Sequence, residues 1–171
     1  HERPAEVEHR QVPGHWEGDL LKGARNASAI GTLAERHSRY VILARLDGLT
    51  AAEARRAFER RLRTVPEPLR QSLTYDRGKE MAEHERLAQN IRIQVYFADP
   101  HSPWQRGTIE NINGLLRQYL PKGTDLSRYS QRELNTIADS LNNRPRKGLE
   151  WYTPAEVFAR NLTQPSVALE S

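Results

Sequence analysis

The chain contains no cysteine. Disulfides, thiolate zinc sites and thiol nucleophiles are all excluded, and a reducing cytoplasm is the expected setting. Long apolar runs are missing too. The longest, Tyr40-Val41-Ile42-Leu43-Ala44, falls far short of the roughly 20 residues that a membrane-spanning helix needs. The polar start His1-Glu2-Arg3 has none of the apolar core of a signal peptide. A soluble chain with no membrane partner is therefore expected. There is no internal repeat and no low-complexity tract. The first residue is His1 rather than Met, which reads as a piece of a longer protein whose N-terminal partner domain lies elsewhere.

What is present suits one compact domain. The 171 residues are 37% hydrophobic, enough for a real core. Lys and Arg number 26 against 22 Asp and Glu, a net charge of +4, and the isoelectric point is near 9.6. That balance favours a polyanionic partner. Residues 1–13, with Pro4 and Pro13 among charged side chains, read as a linker, 14–160 as the core and 161–171 as a tail.

Strands are predicted at about 15–22, 28–37 and 39–46, with hairpin-sized gaps that imply an antiparallel meander. Thr50-Ala51-Ala52-Glu53 is a capping box that opens a helix, stopped by Pro66 and Pro68. A strand at 72–76, a helix at about 79–89 and a strand Ile93-Gln94-Val95-Tyr96-Phe97 form a crossover unit, which requires parallel strands. Ser102-Pro103-Trp104-Gln105 starts a helix that runs to about Leu120. Ser130-Gln131-Arg132-Glu133 and Thr153-Pro154-Ala155-Glu156 open two more. The fold class is an α/β mixed sheet, three antiparallel strands followed by parallel ones, with helices on both faces. This is the order of a ribonuclease-H-like core.

Three carboxylates fall in distinct local settings. Asp19 lies within the first strand, Asp76 at the carboxyl end of the fourth, and Glu110 on a helix. Asp19 and Asp76 both face the crevice where open α/β sheets take ligands. Hard divalent cations such as magnesium prefer carboxylate oxygens, and three carboxylates can hold two ions about 4 Å apart for phosphoryl transfer. The competing reading is chance, because 22 acidic residues supply many triples and most acids are solvated. The helix around Glu110 adds information. Arg106, Gly107, Glu110, Asn113, Gly114 and Arg117 share one face, and Ile109, Ile112, Leu116 and Leu120 the other. The polar face is poor core material and suits a close DNA backbone, with an ordinary solvated face as the alternative.

At these residues the chain resembles the DDE transposases and integrases, and among them the bacterial insertion-sequence transposases of the IS-thirty type. Gly14-His15-Trp16-Glu17-Gly18-Asp19-Leu20 is similar to the family's first-aspartate motif, and Thr74-Tyr75-Asp76-Arg77-Gly78-Lys79-Glu80 to its second. The block from Gln105 to Leu126 resembles its third and most specific motif. Leu141-Asn142-Asn143-Arg144-Pro145-Arg146-Lys147 with Thr153-Pro154-Ala155-Glu156-Val157-Phe158 resembles its closing segment. Asp76 and Glu110 have 33 residues between them, a spacing this family shows. Arg77 is a departure, since many relatives carry Asn there.

The resemblance implies that Asp19, Asp76 and Glu110 bind two Mg2+ or Mn2+ ions, cut DNA at transposon ends and transfer the freed 3′-hydroxyl strand into target DNA. It places Asn113 and Arg117 at DNA contacts and implies a homo-oligomer in the active complex. It also implies a helix-turn-helix DNA-reading region ahead of this segment. Arg144, Arg146 and Lys147 form a basic loop that grips phosphate or is simply solvated, and Arg106 joins the DNA-facing set. Glu17 is expected in an ion pair with a nearby Arg rather than beside the metal. His15, His84 and His101 are taken as structural or exposed, and Trp16 and Trp104 as core. A structure-selective nuclease on the same fold and a non-catalytic DNA-binding remnant remain alternatives. The Glu110-to-Leu126 block argues against the first, the intact carboxylate triad against the second.

Overall fold

The computed structural model describes residues 12–75, 83–98 and 106–163. Five strands, β1 (His15–Lys22), β2 (Ala29–Glu35), β3 (Val41–Arg45), β4 (Ser72–Tyr75) and β5 (Gln94–Phe97), form one sheet in the order β3-β2-β1-β4-β5. β1 pairs antiparallel with β2 and parallel with β4, β2 pairs antiparallel with β3, and β4 pairs parallel with β5. The meander followed by a parallel crossover is as expected. β1 is the central strand, hydrogen-bonded on both sides.

The described residues also form the α-helices α1 (Ala51–Leu62), α2 (His84–Ile91), α3 (Gly107–Leu116), α4 (Gln131–Asn142) and α5 (Pro154–Thr163). The two-residue alternation of the strands sorts them onto two faces. Trp16, Leu33, Ile42 and Leu73 pack with Phe58 and Leu62 of α1, Leu87 and Ile91 of α2, and Phe158 of α5. Leu21, Ile30, Ala34, Val41 and Leu43 pack on the other face with Ile109, Ile112 and Leu116 of α3 and Leu134, Ala138 and Leu141 of α4. Trp16 is fully buried, donates its indole N–H to the Leu69 carbonyl at 2.8 Å and meets Phe158 edge-on, so it is core. Trp104, His101 and the cap at Ser102 lie outside the described residues.

The capping signals work as read. The Thr50 hydroxyl accepts from the Glu53 amide at 3.2 Å, and Ser130 with Glu133 and Thr153 with Glu156 form reciprocal pairs. Several boundaries differ. α2 spans His84–Ile91 rather than about 79–89, and β2 and β3 are each shorter than expected. α3 stops at Leu116, four residues before the expected end, because the chain tightens there: Gln118 and Tyr119 donate to carbonyls three residues back, and Pro121 follows. α5 continues to Thr163, past the expected core edge at 160.

β3 is an edge strand, and α4 closes that edge with side chains. Buried Asn142 accepts from the Val41 amide and donates to the Val41 carbonyl, both at 2.9 Å. At the other end Gln131 accepts from the Arg45 amide and donates to the Leu43 carbonyl, both at 2.8 Å. Two side chains from one helix thus occupy hydrogen-bonding groups that would otherwise template another strand. Asn142→Leu leaves both Val41 groups buried and unpaired. The expected loss is about 2 kcal/mol or more of unfolding free energy, read from urea denaturation.

Candidate active site on strand β1 and helix α3

The strand alternation that buries Leu21 against α3 also turns Glu17 and Asp19 toward that helix. Gly18 between them faces the opposite layer. A Cβ there would meet the Tyr75 ring at 3.0 Å and Leu73 at 3.1 Å, so a larger residue beside Asp19 would have to push these side chains aside.

Glu17 is completely buried. One carboxylate oxygen lies 3.0 Å from Arg36 Nε, itself buried, and the other accepts the Ile109 amide of the first turn of α3 at 3.2 Å. The first N–H groups of a helix have no partner inside it, and Glu17 takes one of them. The expected ion pair is present, and its second contact places α3 on β1.

Two residues farther along β1, Asp19 is about one-third exposed. Its Oδ1 accepts from the Leu20 amide at 2.9 Å, and its Oδ2 accepts from Asn113 Nδ2 at 2.9 Å and pairs with Arg106 Nη2 at 3.2 Å. Asn113 lies three residues after Glu110, on the same helical face, so this bond docks the turn that carries Glu110 over Asp19. Glu110 is exposed. The remaining oxygen of Asn113, Oδ1, is buried with no hydrogen-bond partner. Arg117 donates to the Lys22 carbonyl at 3.0 Å and to the Leu120 carbonyl at 3.3 Å, tying the end of α3 to the end of β1. A cleft of about 370 Å³ opens here, lined by Asp19, Leu20, Leu21, Lys22, Asn113, Gly114, Arg117 and Lys122. A Cβ added at Gly114 would meet nothing within 4 Å.

The structure thus unites Asp19, Arg106, Asn113 and Arg117 with the helix face of Glu110. Asp76 lies outside the described residues, as does Arg77. Among the described residues no three Asp, Glu or His side chains converge on one metal position. Arg144, Arg146 and Lys147 are not in this cleft. Arg144 donates to the Tyr119 hydroxyl at 2.9 Å, Arg146 lines a second cleft on the other flank of α3, and Lys147 is exposed. Buried His15 shares a 2.7 Å hydrogen bond with Ser72, and His84 packs edge-on against Phe97, so both are structural. Sequence reasoning did not single out Lys22 and Lys122 at the cleft or the bond from Glu17 to Ile109. The first two carry no local pattern, and the third spans 92 positions.

Glu17→Gln leaves Arg36 buried without its counter-charge and should cost roughly 3–5 kcal/mol in urea denaturation. Adding Arg36→Met should recover much of that loss, since the double variant buries no lone charge.

The chain is similar to known proteins. A family model described as the integrase core domain matches residues 9–103, more than half of the chain. The transposase for insertion sequence element IS1086 of Cupriavidus metallidurans is 60% identical over 166 residues, covering 97% of this chain and 49% of the relative. The transposase InsI for insertion sequence element IS30A of Escherichia coli is 49% identical over 162 residues, covering 95% and 42%. The chain spans about half the length of the curated relatives it matches. Among solved structures, the catalytic core domain of BIV integrase superposes with a TM-score of 0.62 at 20% identity, covering 87% of this chain and 95% of that one. The shared sheet order makes the fold ribonuclease-H-like, and by the match over residues 9–103 the chain belongs to the integrase core domain family.

Proposed function

We propose that this chain is the catalytic core of a DNA transposase, which cuts transposon ends and joins the freed 3′-hydroxyl strand to target DNA. The observation that carries the reading is the Asn113-to-Asp19 hydrogen bond, which brings the Glu110 turn of α3 onto the central strand at the mouth of a basic cleft. The register of the strand that precedes the second acid in the sequence supports it. Tyr75, registered across from Gly18, is bonded directly to Asp76, just as Gly18 is bonded to Asp19.

In this reading Asp19, Asp76 and Glu110 hold two divalent cations, Mg2+ or Mn2+. The donor set fits such ions: carboxylates are hard oxygen ligands, Asp19 and Glu110 are reachable from solvent, and Asn113 Oδ1 is an unused oxygen beside them. When bound, the cations supply an activated oxygen nucleophile and stabilise the leaving oxygen. The chain's own residues do the rest. Arg106 balances the charge of Asp19. Lys22, Arg117 and Lys122 attract phosphates to the cleft, and Gly114 leaves the backbone room to approach. Water attack breaks a phosphodiester and leaves a 3′-hydroxyl. That hydroxyl then attacks a target phosphodiester in line, forms the new bond and expels the target's 3′-oxygen. Residues 1–13 are the linker from a DNA-reading region. The core begins at 14 and extends through α5 to Thr163, and the tail follows. The working enzyme is a homo-oligomer in the bacterial cytoplasm.

Purified protein with manganese should nick and join DNA carrying transposon ends, and Asp19→Asn, Asp76→Asn or Glu110→Gln should each reduce this to background. Full strand transfer by Glu110→Gln would overturn the assignment of α3. Asn113→Leu should lower activity roughly 10- to 100-fold, as for other groups that orient a metal-binding carboxylate.

Gly114→Ala separates stability from binding. It should stabilise the helix by up to about 1 kcal/mol in thermal unfolding, and weaken DNA binding measured by fluorescence anisotropy. Unchanged affinity would mean that DNA does not pass close to this face.

A further inference from the structure

The second cleft, about 260 Å³, lies on the flank of α3 away from Asp19 and is lined by Arg39, Gly107, Thr108, Asn111, Ile112 and Arg146. Its two arginines come from distant parts of the chain. Arg39 sits in the β2–β3 turn at φ +62°, a left-handed conformation that few non-glycine residues adopt, and its backbone N–H donates to the Glu35 carbonyl at 2.8 Å. Arg146 opens a loop closed on itself: its amide donates to the Tyr152 carbonyl at 3.1 Å, and its carbonyl accepts from the Trp151 amide at 2.8 Å. Within that loop Gly148 makes room for Arg39, since a Cβ there would overlap the Arg39 guanidinium.

No carboxylate among the described residues forms an ion pair with either arginine. Arg146 Nε is buried with no hydrogen-bond partner. Burial, then the like charges of Arg144 and Arg39, depress the proton affinity of Arg146. Like charges held together in a partly dry cleft repel each other, and a fixed arrangement of this kind is relieved by an anion. Guanidinium groups match the paired oxygens of a phosphate. The setting points to a phosphate within a polymer. The cleft borders the helix that carries Glu110, and a helix is about 10 Å across, an axial distance of roughly three base pairs.

We propose that Arg39 and Arg146 form a phosphodiester-binding site for DNA on the flank of α3 opposite Asp19. It rests on the reading of the chain as a DNA-acting enzyme, and adds a second track of backbone contact on the far side of the catalytic helix. Trp151, 66% exposed on the same closed loop, is a built-in reporter of occupancy.

The test is the salt dependence of binding to a labelled duplex of arbitrary sequence, by anisotropy between about 50 and 200 mM salt. Arg39→Gln with Arg146→Gln should weaken binding and reduce the slope of log K against log salt by about one unit. The pair of Arg→Lys changes should keep the slope. Arg132→Gln, an exposed arginine at the far end of α4, should leave it as in the parent. Circular dichroism confirms that the variants fold. Should the double variant not fold, the single Arg39→Gln change and DNA-induced change in Trp151 fluorescence, with Trp151→Phe as the blank, decide the matter.

A parent that binds DNA and a folded double variant with an unchanged slope would overturn this site and leave the proposed function standing. A parent that binds no DNA would overturn both. Two other outcomes also count against a DNA site. One is a Trp151 response to inorganic phosphate that DNA does not compete away. The other is loss of a self-associated species by the double variant with no change in slope, which would make the cleft a contact between copies.

Discussion

The carboxylate of Glu17 joins two parts of the fold: Arg36 on one oxygen and the first turn of α3 on the other. Both partners are required. A buried carboxylate without a counter-charge is costly, and a buried helix start without an acceptor leaves an orphaned amide. Because Glu17 is two residues from Asp19 on a regular strand, the rigid step along β1 carries that constraint to the site. Asp19 then receives Asn113 and Arg106 from the same helix. Sheet and helix are joined by adjacent polar links at the proposed site, while Ile109, Ile112 and Leu116 supply the apolar contact behind them.

That docking makes α3 a ridge with a basic cleft on each side. Lys22, Arg117 and Lys122 border Asp19, and Arg39 with Arg146 occupies the other flank. The arginines differ in how they are held. Arg117 spends donors on backbone carbonyls and Arg144 on a tyrosine hydroxyl, so each has a structural bond beside any role toward DNA. Arg39 and Arg146 form no ion pair among the described residues. A basic loop that looks uniform as Arg144-Pro145-Arg146-Lys147 therefore separates into three environments.

Asn142 teaches a related lesson. It falls in the closing block that resembles the transposases, next to arginines expected at DNA, and it is buried against Val41 as the cap of the sheet edge. Polar residues in a family motif can be kept by the fold as readily as by the substrate, and only the partner across 101 positions tells the two apart.

Much of the architecture was legible because it rests on short-range physics. Alternating burial set the strands, and the Ser130 and Thr153 boxes set helix starts, since both depend on neighbours within a few residues. The polar face of Arg106, Glu110, Asn113 and Arg117 followed from helical periodicity alone, and so did the apolar face of Ile109, Ile112 and Leu116. The end of α3 was read four residues late because its last turn tightens ahead of Pro121 while Arg117 reaches across to Lys22. By itself, then, the sequence determined the order of elements, the polar face of α3, and the strand and helix settings of Asp19 and Glu110. Tertiary structure decided which groups meet: Glu17 with the start of α3, Asn113 with Asp19, and Arg39 with Arg146. Those pairings are long-range, and their energy depends on burial and distance, which no local pattern encodes.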